Sequence, residues 1–506
     1  MVGMTSDSTI ILSTLNARYM HSAFGLRYIY ANLGELQQQT KLLEFTIQES
    51  PLNIVEQLLL HHPKIIGFSV YIWNVSEITK TVAMLKQIAP DVIIVLGGPE
   101  VSHSPDVPAV AELADYVISG AGEVSVKELC DELLTNNRPN EKFIEGKSLP
   151  LEQLVLPYEY YTDEDIKNRL IYVEASRGCP FKCEFCLSAL DKTSTAFPLD
   201  NFLLEMDKLL QRGVRNFKFI DRTFNLKIST TVAILEFFLA RMTDDLYLHF
   251  EVVPDNLPDK LKEVLQRFPA HSLQFEIGVQ TFDPEIQNRI SRKQNNEKSK
   301  ANIVWLRQNT GAHLHTDLIF GLPGDNLENF GHSFDQLIAL NPQEIQLGIL
   351  KRLRGAPLNR HNENYDLRFN PEAPYNILST KDIDFSCMQR VNRFARFWDM
   401  IGNSGRFANS LPLILAEQPF DRFLLLSDSL YSLAGSTWKI ALKRLFELIY
   451  SVLTTEFELS PEQVKQVLAV DYERAKIKGL PSYEQSSPLP KVMRTGTANK
   501  RQRLHS

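Results

Sequence analysis

Cysteine is scarce in this 506-residue chain, with only five in all. The number is odd, and three of the five fall together as Cys179, Cys183 and Cys186 while Cys130 and Cys387 stand alone. That distribution excludes a disulfide framework. It suits a reducing compartment, because oxidation destroys a thiolate metal site before it can be filled. Long apolar runs are missing too. No segment approaches the roughly 20 apolar residues that a membrane span needs, and residues 1–13 lack a basic stretch followed by a long apolar one. These absences predict a cytoplasmic protein with no membrane partner. Nor is there an excess of positive charge: 54 Lys plus Arg stand against 61 Asp plus Glu, a net charge of -7. A nucleic-acid-coating surface is therefore not expected.

What is present is an ordinary globular composition, 44% hydrophobic and 23% charged, on a chain too long for a single core. Two or three domains are expected. Over 1–136, five short apolar runs (9–15, 41–47, 64–72, 91–96 and 115–119) alternate with amphipathic stretches at 23–36, 52–61, 76–88, 107–113 and 123–134. Such βα alternation predicts a parallel sheet covered on both faces, with ligands gathered at the carboxyl ends of the strands. Those ends carry Asn16 to His21, then Gly97-Gly98-Pro99-Glu100, then Gly120-Ala121-Gly122-Glu123. Any one glycine there could simply make a tight turn. Three such strand ends together favour a large planar or phosphate-bearing cofactor approached closely by backbone.

The stretch 137–168, with Pro139, Pro150 and Pro157 and little periodicity, predicts a linker. A second βα series fills 169–357, with strands expected at 171–175, 216–220, 247–253, 272–279, 314–320 and 344–350 and helices such as 199–211, 230–242 and 257–268 between them. Six repeats without antiparallel hairpins predict a partial (β/α)6 barrel with its site at the carboxyl ends of the strands. From 358 to 485 the pattern turns to long helices, such as 382–401 and 438–454, expected to form a separate helical domain. The end, 486–506, carries scattered Lys and Arg among small polar residues and predicts a disordered basic tail.

The three clustered cysteines follow the first barrel strand as Arg177-Gly178-Cys179-Pro180-Phe181-Lys182-Cys183-Glu184-Phe185-Cys186. Three thiolates at this spacing suit three irons of a cubane cluster and leave the fourth iron without a protein ligand from this run. A zinc knuckle would need a fourth Cys or His at matching spacing, and the nearest downstream histidine is His249. Along 272–280, Leu273, Phe275, Ile277 and Val279 share one face while Gln274, Glu276, Gly278 and Gln280 share the other. A polar face suits a barrel interior that holds a polar ligand; a solvated edge strand is the alternative. Cys130 and Cys387 fall on amphipathic helices and are most simply core thiols.

The cysteine run closely resembles the signature loop of the radical S-adenosylmethionine (SAM) superfamily. That resemblance implies a 4Fe-4S cluster on Cys179, Cys183 and Cys186, and SAM chelating the open iron. It also implies reductive cleavage of SAM to a 5'-deoxyadenosyl radical, and Phe185 beside the adenine. Phe275 to Phe282, followed by Arg289 and Arg292, and Asp317-Leu318-Ile319-Phe320-Gly321-Leu322-Pro323-Gly324 resemble coproporphyrinogen-dehydrogenase-like and elongator-like members, which implies SAM contacts by Glu276, Gln280, Arg292 and Asp317. Asp221 stands where the family contacts the methionine amino group, although Arg222 departs from the Asp-Asp pair of many relatives and a helix-capping turn is the alternative.

The first unit resembles the flavodoxin-like, Rossmann-type cobalamin-binding domain that precedes the barrel in one class of these enzymes. The match runs through Asn16, His21, Gly97, Gly98, Pro99, Glu100, Gly120, Gly122 and Glu123. The D-x-H-x-x-G motif that supplies a cobalt-ligating histidine in cobalamin mutases is absent, so the resemblance implies base-off cobalamin without a histidine ligand. It further implies an electron donor such as flavodoxin or ferredoxin, and methylation of an unactivated centre of a small molecule. Alternatives are a radical cyclase of the anaerobic Mg-protoporphyrin ester cyclase type and a cobalamin or redox sensor. A methylthiotransferase needs three further amino-terminal cysteines, and only Cys130 precedes Cys179.

Overall fold

The computed structural model of the chain describes residues 9–191, 193–479 and 481–484. The basic tail expected over 486–506 lies outside the described residues. The first unit is a six-stranded parallel sheet of β1 (Ile10–Asn16), β2 (Thr40–Thr46), β3 (Ile65–Ser69), β4 (Ile93–Gly97), β5 (Tyr116–Ser119) and β6 (Phe143–Glu145), in the spatial order β2-β1-β3-β4-β5-β6. Alternate residues feed two separate cores. Ile11 and Leu15 join Phe68, Ile94 and Leu96 on one face, while Ile10 and Leu12 join Ile65, Val95 and Ile118 on the other. Burial on both faces explains why these strands are nearly continuous apolar runs in the sequence. The chain leaves β1 toward β2 on one side and reaches β3 on the other, so the connections part at the carboxyl end of β1 and leave a crevice there.

The expected linker at 137–168 is corrected by the structure, because the segment is built into the fold. Phe143–Glu145 pairs with β5, and Tyr158 and Tyr161 are each only 1% exposed. Asp163–Asn168 is a helix closed by a Thr162–Asp165 capping box. Asp165 lies 2.8 Å from Arg27, and Arg27 lies 2.7 Å from Glu44, so buried ion pairs fasten the segment to the first unit. Periodicity misses it because β6 has three residues and the anchors are isolated tyrosines among prolines.

The second unit begins with β7 (Ile171–Val173), followed by a short antiparallel hairpin of β8 (Ser176–Gly178) and β9 (Ser194–Ala196). The hairpin departs from the expected series and frames the loop that bears the three cysteines. Gly178 makes it possible: its φ is +92°, and a Cβ there would stand 2.2 Å from the Thr193 carbonyl oxygen. The remaining strands are β10 (Asn216–Phe219), β11 (Tyr247–Val252), β12 (Leu273–Gln280), β13 (His313–Phe320) and β14 (Glu344–Ile349). With β7 they form one parallel sheet in sequential order, the open barrel that six repeats predict. β12 alternates as expected, with Leu273, Phe275, Ile277 and Val279 buried and the intervening polar residues half-buried on the opposite face.

A two-stranded antiparallel ribbon, β15 (Arg368–Phe369) with β16 (Ile377–Ser379), leads into the carboxyl-terminal helices. These include Phe385–Ile401, Pro419–Ala434, Leu442–Thr455 and Pro461–Arg474. They share one apolar core with the outer face of the second sheet. Phe334, on a helix that covers that sheet, meets Phe394 at 5.2 Å and Trp398 at 4.8 Å between ring centroids.

Candidate functional site

Two cavities occupy the carboxyl ends of the two sheets. The first, of about 1270 Å3, lies over the ends of β1, β3, β4 and β5 and is lined by Asn16, His21, Gly97, Gly98, Gly120, Gly122 and Glu123. It descends beside the sheet past Leu12, Gly67 and Val95, under the helices Phe24–Ala31 and Ser125–Leu134. Gly98 is indispensable to this shape. Its φ is +103°, and a Cβ would stand 2.6 Å from the Val70 carbonyl oxygen. Asn16 donates to the His21 carbonyl at 3.0 Å and to Glu44 at 2.7 Å, which sets the loop after β1. His21 Nδ1 lies 2.7 Å from the Tyr172 hydroxyl, and burial lowers the imidazole's pKa, aided by Lys218 and Arg18.

Two of the expected residues lie elsewhere. Pro99 and Glu100 do not line the cavity. Glu100 is 3% exposed and ion-paired with Arg354 at 2.9 Å, where it ties the first unit to the loop after β14. Glu123 does line the cavity but also joins the units, since Arg177 bridges it and Glu174 at 2.6 Å each. The sequence reading missed Tyr71 and Trp73, whose rings stack at 4.3 Å beside the cavity. An aromatic pair just past a strand end was the available signal.

The second cavity, of about 250 Å3, is lined by Cys179, Cys183, Cys186 and Phe185, and opposite them by Glu276, Gly278, Gln280, Arg292 and Asp317. Among the described residues no three His, Cys, Asp or Glu side chains converge tightly enough for a single metal ion. The thiols instead stand around the wall of this larger space. Arg292 donates to Cys183 Sγ at 3.6 Å and the Ser188 amide to Cys186 Sγ at 3.4 Å, while Cys179 Sγ lies 3.9 Å from the Thr223 hydroxyl. Glu184, between the second and third cysteines, is buried and pins the loop. It accepts from Arg360 Nε at 2.8 Å and Ser291 Oγ at 2.5 Å, and lies 2.9 Å from His361 Nε2.

Glu276 and Asp317 are diagonal neighbours on the inner face of β12 and β13, Glu276 standing opposite His315 and Asp317 opposite Gly278, and their carboxyls are shifted in opposite directions. Burial raises the Glu276 carboxyl, but His249 at 2.9 Å and Lys218 at 3.1 Å outweigh it and hold the group down at about 2. Asp317 is pushed up to about 8 by burial and by the facing charges of Glu276 and Glu251. At neutral pH one carboxyl is ionised and its neighbour holds a proton, an arrangement that divides cation binding from hydrogen-bond donation. Gln280 ends β12 at φ +69°, beside a register shift between Gly278 and Gln280. Its buried Oε1 meets no partner among the described residues, and its side chain covers Gly278, where a Cβ would stand 2.5 Å from Gln280 Nε2. A strained residue with an unmatched acceptor has the features of a ligand contact.

Asp221 is the clear departure. It is 2% exposed, lies outside the cavity lining, and accepts from the Ala175 amide at 3.0 Å and the Ser176 hydroxyl at 2.6 Å. Burial pushes its carboxyl up to about 7. It props the start of the cysteine loop, and Arg222 and Thr223 reach the cavity in its place. Lys218, His249 and Glu251 were also missed. The alternation that exposed Glu276 on β12 would have placed them on the same inner face of β10 and β11. Arg222 and Glu251 line both cavities, so the two spaces share a wall.

Comparison with known proteins agrees with this layout. Residues 11–130 match the B12 binding domain, 173–337 the Radical SAM superfamily, and 363–503 a protein family of unknown function, DUF4080. The chain is 24% identical over 376 residues to the cobalamin-dependent radical SAM methyltransferase TokK of Streptomyces tokunonensis, a match that covers 67% of this chain and 54% of that protein. It is also 24% identical over 377 residues to the 2-(S-pantetheinyl)-carbapenam-3-carboxylate methyltransferase of Streptantibioticus cattleyicolor, with the same shares. The chain thus spans about half the length of these curated relatives. In fold it is similar to the radical SAM methyltransferase TsrM from Kitasatospora setae, solved with tryptophan substrate and a SAM analog. The TM-score is 0.57 at 18% identity, over 71% of this chain and 76% of that one. No helix among the described residues is long and apolar enough to cross a membrane. The chain joins a domain of the B12 binding type to one of the Radical SAM superfamily, followed by a region of unknown function, and the cofactors that these two domains imply are cobalamin, SAM and a 4Fe-4S cluster.

Proposed function

We propose that the chain is a cobalamin-dependent radical SAM methyltransferase that acts on an unactivated centre of a substrate admitted to the barrel. The observation that carries this reading is the wall shared by the two cavities at Arg222 and Glu251. Groups held in the two spaces face one another across two side chains.

The residues fit the cofactors. The first cavity offers room for a planar macrocycle over the glycine-rich strand ends and a slot beside Gly67 for a long tail. Cys179, Cys183 and Cys186 would hold the cluster, with Arg292 and the Ser188 amide donating to sulfur. Phe185, Glu276, Gln280, Arg292 and Asp317 line the same small cavity and would hold SAM. When bound, these groups supply reductive cleavage of a sulfonium and a carrier for a methyl group.

The protein's own side chains do the rest. Glu276, kept ionised by Lys218 and His249, takes up a cationic group. Asp317 keeps its proton at neutral pH and donates to an oxygen or nitrogen acceptor. Arg177, paired with Glu123 of the first unit and Glu174 of the second, holds the units together beside the shared wall.

The test is anaerobic reconstitution with iron, sulfide and cobalamin, followed by SAM and a one-electron donor such as flavodoxin or ferredoxin. Both S-adenosylhomocysteine and 5'-deoxyadenosine are expected, with a substrate that gains the mass of a methyl group. Formation of neither nucleoside would defeat the proposal, and a product that loses hydrogens instead would favour ring closure.

A further inference from the structure

Past β10 the chain runs through 221–225, where Asp221, Thr223, Phe224 and Asn225 are buried and Arg222 alone is exposed. The backbone on either side of Arg222 is tied down. Asp221 is held by the Ala175 amide and the Ser176 hydroxyl, the Thr223 hydroxyl donates to the Arg222 carbonyl at 2.7 Å, and the Phe224 amide donates to the Glu251 carbonyl at 2.9 Å. Asn225 closes the segment. Its Nδ2 donates to the carbonyls of Val253 at 2.8 Å and Asn256 at 2.7 Å, and its Oδ1 accepts from the Val253 amide at 2.9 Å. These bonds make a rigid mount for one guanidinium.

The fold itself makes no use of that guanidinium. Among the described residues no hydrogen bond or ion pair reaches it from any side chain. The other arginines that line the two cavities are engaged, Arg177 by Glu123 and Glu174, and Arg292 by the Gly278 carbonyl and Gln294. Arg222 and Glu251 are the only described residues that line both cavities. Burial raises the Glu251 carboxyl and the charge of Arg222 lowers it, so the two sense one another without forming an ion pair. A guanidinium at this wall loses water once ligands fill the spaces on either side, which is costly unless an anion faces it.

We infer that the substrate is a carboxylic acid and that Arg222 holds its carboxylate at the wall between the two cavities. The planar fork of a guanidinium matches the two oxygens of a carboxylate with parallel N–H donors, and a fork on a fixed backbone gives up little freedom on binding. A phosphate fits the same fork, but its second negative charge would face the Glu251 carboxyl, whereas the single charge of a carboxylate is balanced by Arg222 alone. Glu251 is then placed to accept from an N–H or O–H group of the same molecule. The cofactors carry anionic groups too, and these have places elsewhere. Glu276 and Arg292 line the cysteine cavity alone and serve the charged end of SAM there, and the phosphate of cobalamin belongs to the tail for which the slot beside Gly67 gives room. The inference rests on the proposed methyltransferase for the place of the substrate between the cavities, and deepens it by naming the group that is recognised.

Binding is the readout of the test. The full chain, reconstituted anaerobically with cobalamin and cluster, is incubated with SAM and no reductant. The probe is a library of small carboxylic acids, amino acids among them, each paired with its neutral primary carboxamide, and retained compounds are identified by ultrafiltration and mass spectrometry. A defined subset of acids should be retained, with each matching carboxamide held about tenfold less or worse. Arg222→Gln should lower retention of those acids about tenfold or more. Arg222→Lys keeps the charge without the fork and should lose less, and in both variants iron content, cobalamin content and SAM affinity should match the native chain. The inference is overturned if the native chain retains no acid, if acids and carboxamides are retained alike, or if Arg222→Gln retains the acids undiminished. A tenfold loss of SAM affinity in Arg222→Gln would also overturn it, because the guanidinium would then serve the cofactor. The pairs of acid and carboxamide need no variant, so the native chain alone can defeat the inference should Arg222→Gln fold poorly. Acids retained by a chain that yields neither nucleoside would sink the methyltransferase and leave this assignment standing, whereas both nucleosides and a methylated product without a retained acid would do the reverse.

Discussion

The two sheets share six parallel strands and opposite interiors. The first is apolar on both faces, with Ile10 and Leu12 in one core and Ile11 and Leu15 in the other. Its cavity lies beyond the strand ends and in the slot that small residues leave there. The second is apolar on its outer face alone. Lys218, His249, Glu251, Glu276, His315 and Asp317 project to the inner side. A closed sheet can lend its ligand mostly backbone and shape; an open barrel can surround its ligand with charge. The same count of strands thus gives one site built by glycines and another built by titratable side chains.

Breaking the second site should have the largest effect. Cys183→Ala should reduce bound iron and 5'-deoxyadenosine formation to background, measured by metal analysis and chromatography, with cobalamin content unaltered. Gly98→Ala is the counterpart for the first. Strain at φ +103° and the clash with Val70 should cost about 2 kcal/mol or more, so cobalamin content should fall severalfold while iron content holds. Glu184→Gln sharpens the contrast further. It removes charge-assisted bonds to Arg360 and weakens the anchor of the cysteine loop, and should lower iron occupancy by about 10-fold, again without loss of cobalamin.

The contrast also predicts a pH dependence of stability that belongs mainly to the second unit. Asp325, buried after β13 where it accepts from the Gly321 and Asn326 amides, is pushed up to about 8 by burial, as is Asp317, and Asp221 to about 7; all three keep protons in the folded chain that the unfolded chain releases above about pH 4. Their stabilising contribution is therefore fully present below about pH 4, declines as pH rises, and is gone above about pH 8. Each group gives a slope of at most about 1.4 kcal/mol per pH unit. Urea unfolding of the cofactor-free chain from pH 5 to 8 should show the decline, and Asp325→Asn should flatten part of it.

Much of this layout is legible in the residues. Parallel strands buried on both faces must be apolar runs, so β1 to β5 can be read directly, and alternation on β12 gives both the core face and the ligand face. Cysteine spacing marks the second site without any fold. What escaped reading is long-range. Asp221 has the composition of a ligand residue, but burial against Ala175 and Ser176 makes it a prop. Glu100 follows two glycines at a strand end, yet its partner, Arg354, lies in the second unit, and no local pattern announces a pair so far apart. Asn403 and Trp398, which bond the outward backbone of Ile345, arrive from a helical region whose own pattern carries no chemical motif.

The central claim is that cobalamin and the cluster are held by separate walls yet face one another across Arg222 and Glu251. Electron paramagnetic resonance of the doubly loaded protein tests it most directly. Reduction of the cluster should alter the line shape of the cob(II)alamin signal in the native chain and leave it unchanged in Cys183→Ala. An identical cob(II)alamin signal before and after cluster reduction in the native chain would contradict the account.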